Sequence, residues 1–307
     1  MPNEITLDPR EVKLTTRTNT VVRRTLPHRE LLMIGAWCFV DHYGPTYAVD
    51  AMSIAQHPHV GLQTVSWLFD GEIEHRDSVG SVQVINPGQL NLMTSGFGIA
   101  HSELSLEVGK KLHGVQLWVA LPKESKDVAP HFEHHGVLPK FEIEGFSVNL
   151  FMGSWLGHTS GAKTYTPIIG AEISGGVGNS VLPIDKNFEY GILLDQGEVR
   201  INRKLVTANQ LHYMPAGESE FKIESSGEFR ALLIGGEPFK EEIIMWWNFI
   251  GRTHDEIVEM RENWESQSLR FAKFEDKIGG RIPAPELPNL MLKPRGSRRN
   301  HSPKTSQ

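Results

Sequence analysis

The chain has 307 residues, a formal net charge of -6 at pH 7 and a single cysteine, enough length for about two domains with a sizeable core. The acidic balance argues against a general nucleic-acid or anionic-membrane binder, since both need a basic surface. With only Cys38 there is no intramolecular disulfide and no thiolate cluster, so any metal must be held by imidazole and carboxylate.

No run approaches the roughly 18 apolar residues of a membrane helix. The opening Met1-Pro2-Asn3-Glu4-Ile5 lacks a basic then apolar leader. A cytoplasmic protein that binds neither membrane nor nucleic acid and acts as a monomer is expected. Cys38 reads as a buried, inert thiol.

The first pattern that carries chemistry is His57-Pro58-His59, answered later by His101-Ser102-Glu103. Both pairs are spaced i, i+2, the interval at which side chains leave one face of a strand. Two neighbouring strands would then aim four donors at one point, a candidate metal site. Between the pairs, Thr64-Val65-Ser66-Trp67-Leu68-Phe69 is β-branched and aromatic, Asp70-Gly71 is a hairpin-type turn, and Asn86-Pro87-Gly88 precedes Leu90-Asn91-Leu92-Met93. Short strands between turn signals predict an all-β barrel or jelly roll, whose interior is where ligands from separate strands converge. Phe69, Met93 and Phe97 are candidate pocket walls. Gln63 either orients a ligand or fills the barrel. His75 and Arg76, just after the turn, read as solvent-facing, and His113 as a packed polar residue with the site as its alternative contact.

Pro122 to Pro139 is polar and proline-bounded and reads as a connection, with His131, His134 and His135 in a solvated loop. A weak repeat follows. Leu68-Phe69-Asp70-Gly71-Glu72-Ile73 resembles Leu193-Leu194-Asp195-Gln196-Gly197-Glu198-Val199, and Gln89-Leu90-Asn91-Leu92-Met93 resembles Gln210-Leu211-His212-Tyr213-Met214, predicting a second barrel. In this alignment His57 falls on Leu182, His59 on Ile184, His101 on Lys222 and Glu103 on Glu224, so the second copy lacks the three histidines. His212 takes a structural reading. Ser174 to Gly178 is a turn before a strand and not a nucleotide cradle. Trp246-Trp247 reads as packing across the domain interface.

Thr253-His254-Asp255-Glu256 has capping-box form with Ile257, Met260 and Trp264 at helical spacing, so a helix is expected near 254–270. The expected domains are 1–137 with the metal site, 138–290 without one, and a basic, disordered tail over 291–307.

The segment from His57 to Glu103, followed by Leu112-His113-Gly114-Val115-Gln116-Leu117-Trp118, resembles the signature region of the pirin family, bicupins of the cupin superfamily, and Gly235 to Ile257 is similar to the pirin C-terminal region. The resemblance implies an all-β fold of two cupin jelly-roll barrels in tandem with a C-terminal helix. It also implies one divalent metal held by His57, His59, His101 and Glu103, most often Fe(II), with Mn, Ni, Co and Cu as alternatives. Other pirins often carry glutamate at the position of Gln63 and arginines at those of Val60 and Phe97; the ligand set here is intact without them.

Several pirin-like proteins are described as quercetin 2,3-dioxygenases. The implied function is a metal-dependent dioxygenase acting with dioxygen on quercetin or a similar enolizable aromatic, Glu103 taking the proton of the substrate hydroxyl. The alternative, which some pirins resemble, is a non-catalytic iron-binding module whose redox state alters affinity for a regulatory protein partner, a transcription factor or a metabolic enzyme.

Overall fold

Alternation along each strand determines which apolar layer a side chain enters. In Leu62–Asp70, Val65, Trp67 and Phe69 join the core between the two barrels, while Leu68 joins the interior of the first barrel. In Glu189–Gln196, Leu193 joins that shared core, while Tyr190, Ile192 and Leu194 fill the second barrel. The molecule is therefore two barrels whose large sheets pack face to face. A computed structural model describes residues 4–14, 21–47, 52–106 and 111–297.

The large sheet of the first barrel runs His131–His135, Leu90–Thr94, Leu62–Asp70, Leu112–Ala120, Trp37–Thr46, Val21–Leu26 and Arg10–Lys13, all antiparallel. Its small sheet runs Ser53–His59, Ile99–Ser105, Ile73–Asp77 and Val82–Ile85. The second barrel repeats the plan. Its small sheet is Gly178–Pro183, Glu220–Ser225, Glu198–Ile201 and Lys204–Thr207, and its large sheet centres on Glu189–Gln196 and Phe229–Gly236. This is the all-β tandem-cupin architecture.

Tryptophans fasten the barrels together. Trp37 is fully buried and donates from Nε1 to the carbonyls of Ile169 (3.2 Å) and Gly235 (3.1 Å) in the second barrel. Trp67 donates to Glu172 Oε2 at 2.7 Å. Each ring adds a large apolar area and satisfies its one polar atom across the seam.

Three expectations about chain organisation change. The strand Ile5–Leu7 pairs with Leu211–Met214, placing Ile5 opposite Tyr213, so the first described residues belong to the second barrel's sheet. The expected connection contains the strand His131–His135, paired with Leu90–Thr94 on the first barrel. The region past Gly280, read as a loose tail over 291–307, is held down as far as it is described. Ile282 N donates to Gln56 O, Ile243 and Arg295 exchange backbone hydrogen bonds, and Ser297 O accepts from Leu32 N. Residues 298–307 lie outside the described residues.

The helix is His254–Glu265, with Thr253 and Glu256 forming the capping box and Ile257, Met260 and Trp264 buried. It packs with Val60, Ala100, Phe249 and Phe271, against the outside of the first barrel and next to His59 and His101. Gly61 makes the turn after Ser53–His59 with φ +75°, and a Cβ there would stand 2.4 Å from the carbonyl oxygen of Ile250. Only glycine allows the C-terminal hairpin to approach so closely.

Candidate metal centre

Ser53–His59 and Ile99–Ser105 pair so that His101 lies opposite His57 and Ile99 opposite His59. Pro58 interrupts hydrogen bonding without changing the period, and His57 and His59 both turn inward. All three histidines are buried, and one donor nitrogen of each lies within 4.8 Å of the others. The ring centroids of His57 and His101 are 4.3 Å apart, and those of His59 and His101 are 4.9 Å apart.

Their outer contacts select which nitrogen is free. His57 Nδ1 lies 2.9 Å from the Ala55 carbonyl, a bond it makes by donating, which leaves Nε2 as a lone-pair donor. His101 Nδ1 lies 3.3 Å from Nδ1 of His75, and His75 Nε2 lies 3.0 Å from Asp77 Oδ2. A proton on His75 Nε2 goes to the carboxylate, so His75 Nδ1 accepts from His101 Nδ1–H. His101 Nε2 is then a bare lone pair, and it has no hydrogen-bond partner; neither does His59 Nδ1. Such carboxylate–imidazole chains orient metal-binding histidines and fix their tautomer.

Burial drives the pKa of His57 down to about 4, and burial together with the neighbouring imidazoles holds His59 and His101 well below the ordinary value. All three are therefore neutral at physiological pH, the form that binds metal.

Glu103 is buried on the same strand, opposite His75 on Ile73–Asp77. It is not in the set of donors lying within 4.8 Å of one another, and the pairing with Ser53–His59 shifts register between His101 and Glu103. Burial pushes its carboxyl up to about 7, against a hydrogen bond from Ser66 that pulls it down. Three neutral imidazoles, two of them with an unpartnered buried nitrogen, and an adjacent under-solvated carboxyl fit a borderline divalent ion. The ring of Trp118 packs 5.1 Å from that of His59, and Phe132 stacks on His75 at 4.4 Å.

Of the remaining expectations, those for His75, Gln63 and the His131 to His135 loop change, while those for His113, His212 and Cys38 hold. His75 is buried and supports His101 instead of facing solvent. Gln63 orients no histidine: its amide donates to Thr94 Oγ1 (2.9 Å) and to the Lys163 carbonyl in the second barrel (3.0 Å). Phe69 lies beside His113 at the seam, Met93 is buried on Leu90–Thr94, and Phe97 is half-exposed beneath the Arg270 guanidinium, 4.4 Å from its ring. His113 meets His42 and Asp195 at the seam. In the supposed loop, His134 lies 2.7 Å from Asn91 Oδ1. His212 is structural, 2.9 Å from Thr6 Oγ1. Cys38 is fully buried, its thiol pushed up to about 12 by desolvation.

The second barrel shows that the alignment of the repeats slips by one residue in the later strand. Leu182 pairs with Phe221, as His57 pairs with His101, so Phe221 and Ile223 are the inward residues, and Lys222 and Glu224 form an outer ion pair at 2.6 Å. The interior is apolar at every corresponding position.

A model of the family described as Pirin matches residues 17–119, and one described as Pirin C-terminal cupin domain matches residues 176–271. A Pseudomonas aeruginosa protein named "putative quercetin 2,3-dioxygenase" is 41% identical over 270 residues, covering 87% of this chain and 86% of that one. A pirin-like protein of Caulobacter vibrioides is 36% identical over 282 residues, covering 87% and 95%. The crystal structure of a quercetin 2,3-dioxygenase from Acinetobacter baumannii superimposes with a TM-score of 0.91 at 38% identity, covering 96% of this chain and 98% of that one.

Proposed function

The chain belongs to the pirin family, and from that premise we propose that it is a metal-dependent dioxygenase of quercetin or a similar flavonol, with one divalent ion, Fe(II) by preference, held by His57, His59, His101 and Glu103. The observation that carries the reading is the convergence of three buried, neutral imidazoles whose donor nitrogens lie within 4.8 Å of one another. When bound, the ion supplies Lewis acidity toward a phenolic hydroxyl and redox access to dioxygen.

The protein's own groups supply the rest. Asp77 and His75 keep the His101 proton on Nδ1, so its Nε2 stays a ligand throughout. Glu103 is placed to take the proton of the flavonol 3-hydroxyl at its carboxylate oxygen and to return it to product. Trp118 packs against the His59 ring and Phe132 against that of His75, holding both imidazoles in place. Oxygen uptake on adding quercetin to the Fe(II)-loaded protein tests this; it is expected to disappear in His57→Ala and His101→Ala. If Glu103→Gln keeps its metal and turns over at the parent rate, the proton role is wrong.

Burial favours one second reading. None of the four residues is more than 7% exposed, which suits an ion that reports oxidation state to a protein partner. Partner affinity that differs between ferrous and ferric protein, with no oxygen uptake, would select it.

A further inference from the structure

We propose that His42, His113 and Asp195 form a second site for one divalent transition ion, on the seam between the barrels and separate from the three-histidine centre. His42 comes from Trp37–Thr46 and His113 from Leu112–Ala120 in the first barrel, and Asp195 from Glu189–Gln196 in the second. Their side chains are 1%, 7% and 0% exposed.

The three donor atoms form a near-equilateral triangle. His42 Nε2 is 2.8 Å and His113 Nε2 2.7 Å from Asp195 Oδ1, and the two nitrogens are 3.0 Å apart. Three ligands at right angles on an ion about 2.0–2.1 Å away stand about 2.9 Å from one another, the facial arrangement of two histidines and a carboxylate.

A triangle held by hydrogen bonds alone is crowded. Each neutral imidazole nitrogen offers either a proton or a lone pair. If His113 donates to His42, the His42 lone pair faces the carboxylate oxygen across 2.8 Å. If both nitrogens carry protons toward Asp195, the two protons crowd one another across the 3.0 Å edge. Asp195 Oδ1 thus has two imidazole nitrogens at hydrogen-bond distance on one side and no other polar partner. A cation on the triangle's axis satisfies all three lone pairs together.

The surroundings hold these groups in place. Arg230 Nε takes the other oxygen, Asp195 Oδ2, at 2.7 Å, and its guanidinium lies 4.2 Å over the ring of Phe69, which meets the His113 ring edge-on at 5.0 Å. Asp195 and His113 both sit where strand pairing shifts register, Asp195 between Leu194 and Gln196, His113 between Leu112 and Gly114; bulges of this kind re-aim a side chain. Glu172 interacts electrostatically with Asp195 and Arg230, and Arg23 with Asp195. Two carboxylates and two guanidiniums thus surround the imidazoles, and burial raises the pKa of the Glu172 carboxyl. Because its ligands come from both barrels, the bound ion clamps one to the other.

The test is Co2+ uptake by the full chain after chelator stripping and dialysis, counted by elemental analysis and followed by the d–d absorption of bound cobalt. The doubly substituted His57→Ala/His101→Ala protein leaves the seam untouched and is expected to retain one equivalent, which falls to zero when Asp195→Asn or His113→Gln is added. Cobalt is also expected to raise the melting temperature of the His57→Ala/His101→Ala protein. No cobalt bound by that protein while its circular dichroism matches the parent overturns the proposal. One equivalent insensitive to both seam substitutions overturns it equally, since the ion then lies elsewhere. A parent protein binding one equivalent that only seam substitutions remove supports this site while refuting the three-histidine centre.

Discussion

Replacing Glu103 by glutamine probes the electrostatics of the centre without changing its shape. In the metal-free protein the carboxyl sits at about 7, up from an ordinary 4.5; that gap of about 2.5 units corresponds to roughly 3 kcal/mol of folding free energy. Below pH 4.5 the group is protonated in both the folded and unfolded states and costs nothing. Between about 4.5 and 7 the unfolded chain releases the proton and the folded chain keeps it, so stability falls as pH rises, and above about 7 the full penalty applies. Glutamine carries no charge to bury and still reaches Ser66. Metal-free Glu103→Gln is therefore expected to melt on the order of 5–10 °C above the parent at pH 8 and together with it at pH 4. Scanning calorimetry in the presence of chelator measures both. Adding Fe(II) anaerobically is expected to stabilise the parent more than the variant, because an ionised carboxylate gains a partner and an amide does not. Equal melting temperatures of the metal-free pair at pH 8 would refute the claim that Glu103 is a desolvated acid.

Asp77→Asn removes the negative end of the chain that fixes His101, and metal affinity is expected to fall about 10- to 100-fold; competition against a chromogenic chelator reads this, and unchanged affinity would make His75 a packing residue only. Trp264→Ala vacates the cluster shared by the helix and Val60 and is expected to cost about 3–5 kcal/mol in urea denaturation; a loss below about 1 kcal/mol would mean that the helix is not docked as described. Gly61→Ala places a Cβ 2.4 Å from the Ile250 carbonyl oxygen, so limited proteolysis is expected to cut the displaced C-terminal hairpin first; parent-like resistance would contradict the close approach.

The histidine pair and its partner strand were legible because a strand's period of two is a local property: His57, His59 and His101 needed only the strand assignment to share an interior. The same logic applies to His75 and Asp77, also spaced i, i+2, but the place of His75 and Arg76 just after the Asp70-Gly71 turn suggests an exposed hairpin end. Exposure there is decided by the Ile99–Ser105 strand lying against Ile73–Asp77, a long-range pairing that no local pattern carries. The slip in the repeat has the same root. Gln89 and Gln210 align correctly in sequence, yet the turns beyond them differ by one residue, and one residue exchanges the inner face for the outer. Least visible was the meeting of His42, His113 and Asp195, which depends on how two sheets from separate barrels face each other. The only local hint was a polar residue closing an otherwise apolar face, His42 after Cys38 and Val40, and Asp195 after Leu193.

Anomalous scattering from crystals grown with Fe(II) under anaerobic conditions, with data collected on either side of the iron edge, locates the ion relative to the three imidazoles. A peak is expected within about 2.0–2.2 Å of a ring nitrogen of His57, His59 and His101, with the Glu103 carboxylate drawn in as the fourth protein ligand. Fully occupied iron elsewhere, with those three rings bonded only to protein and water, would contradict the three-histidine centre.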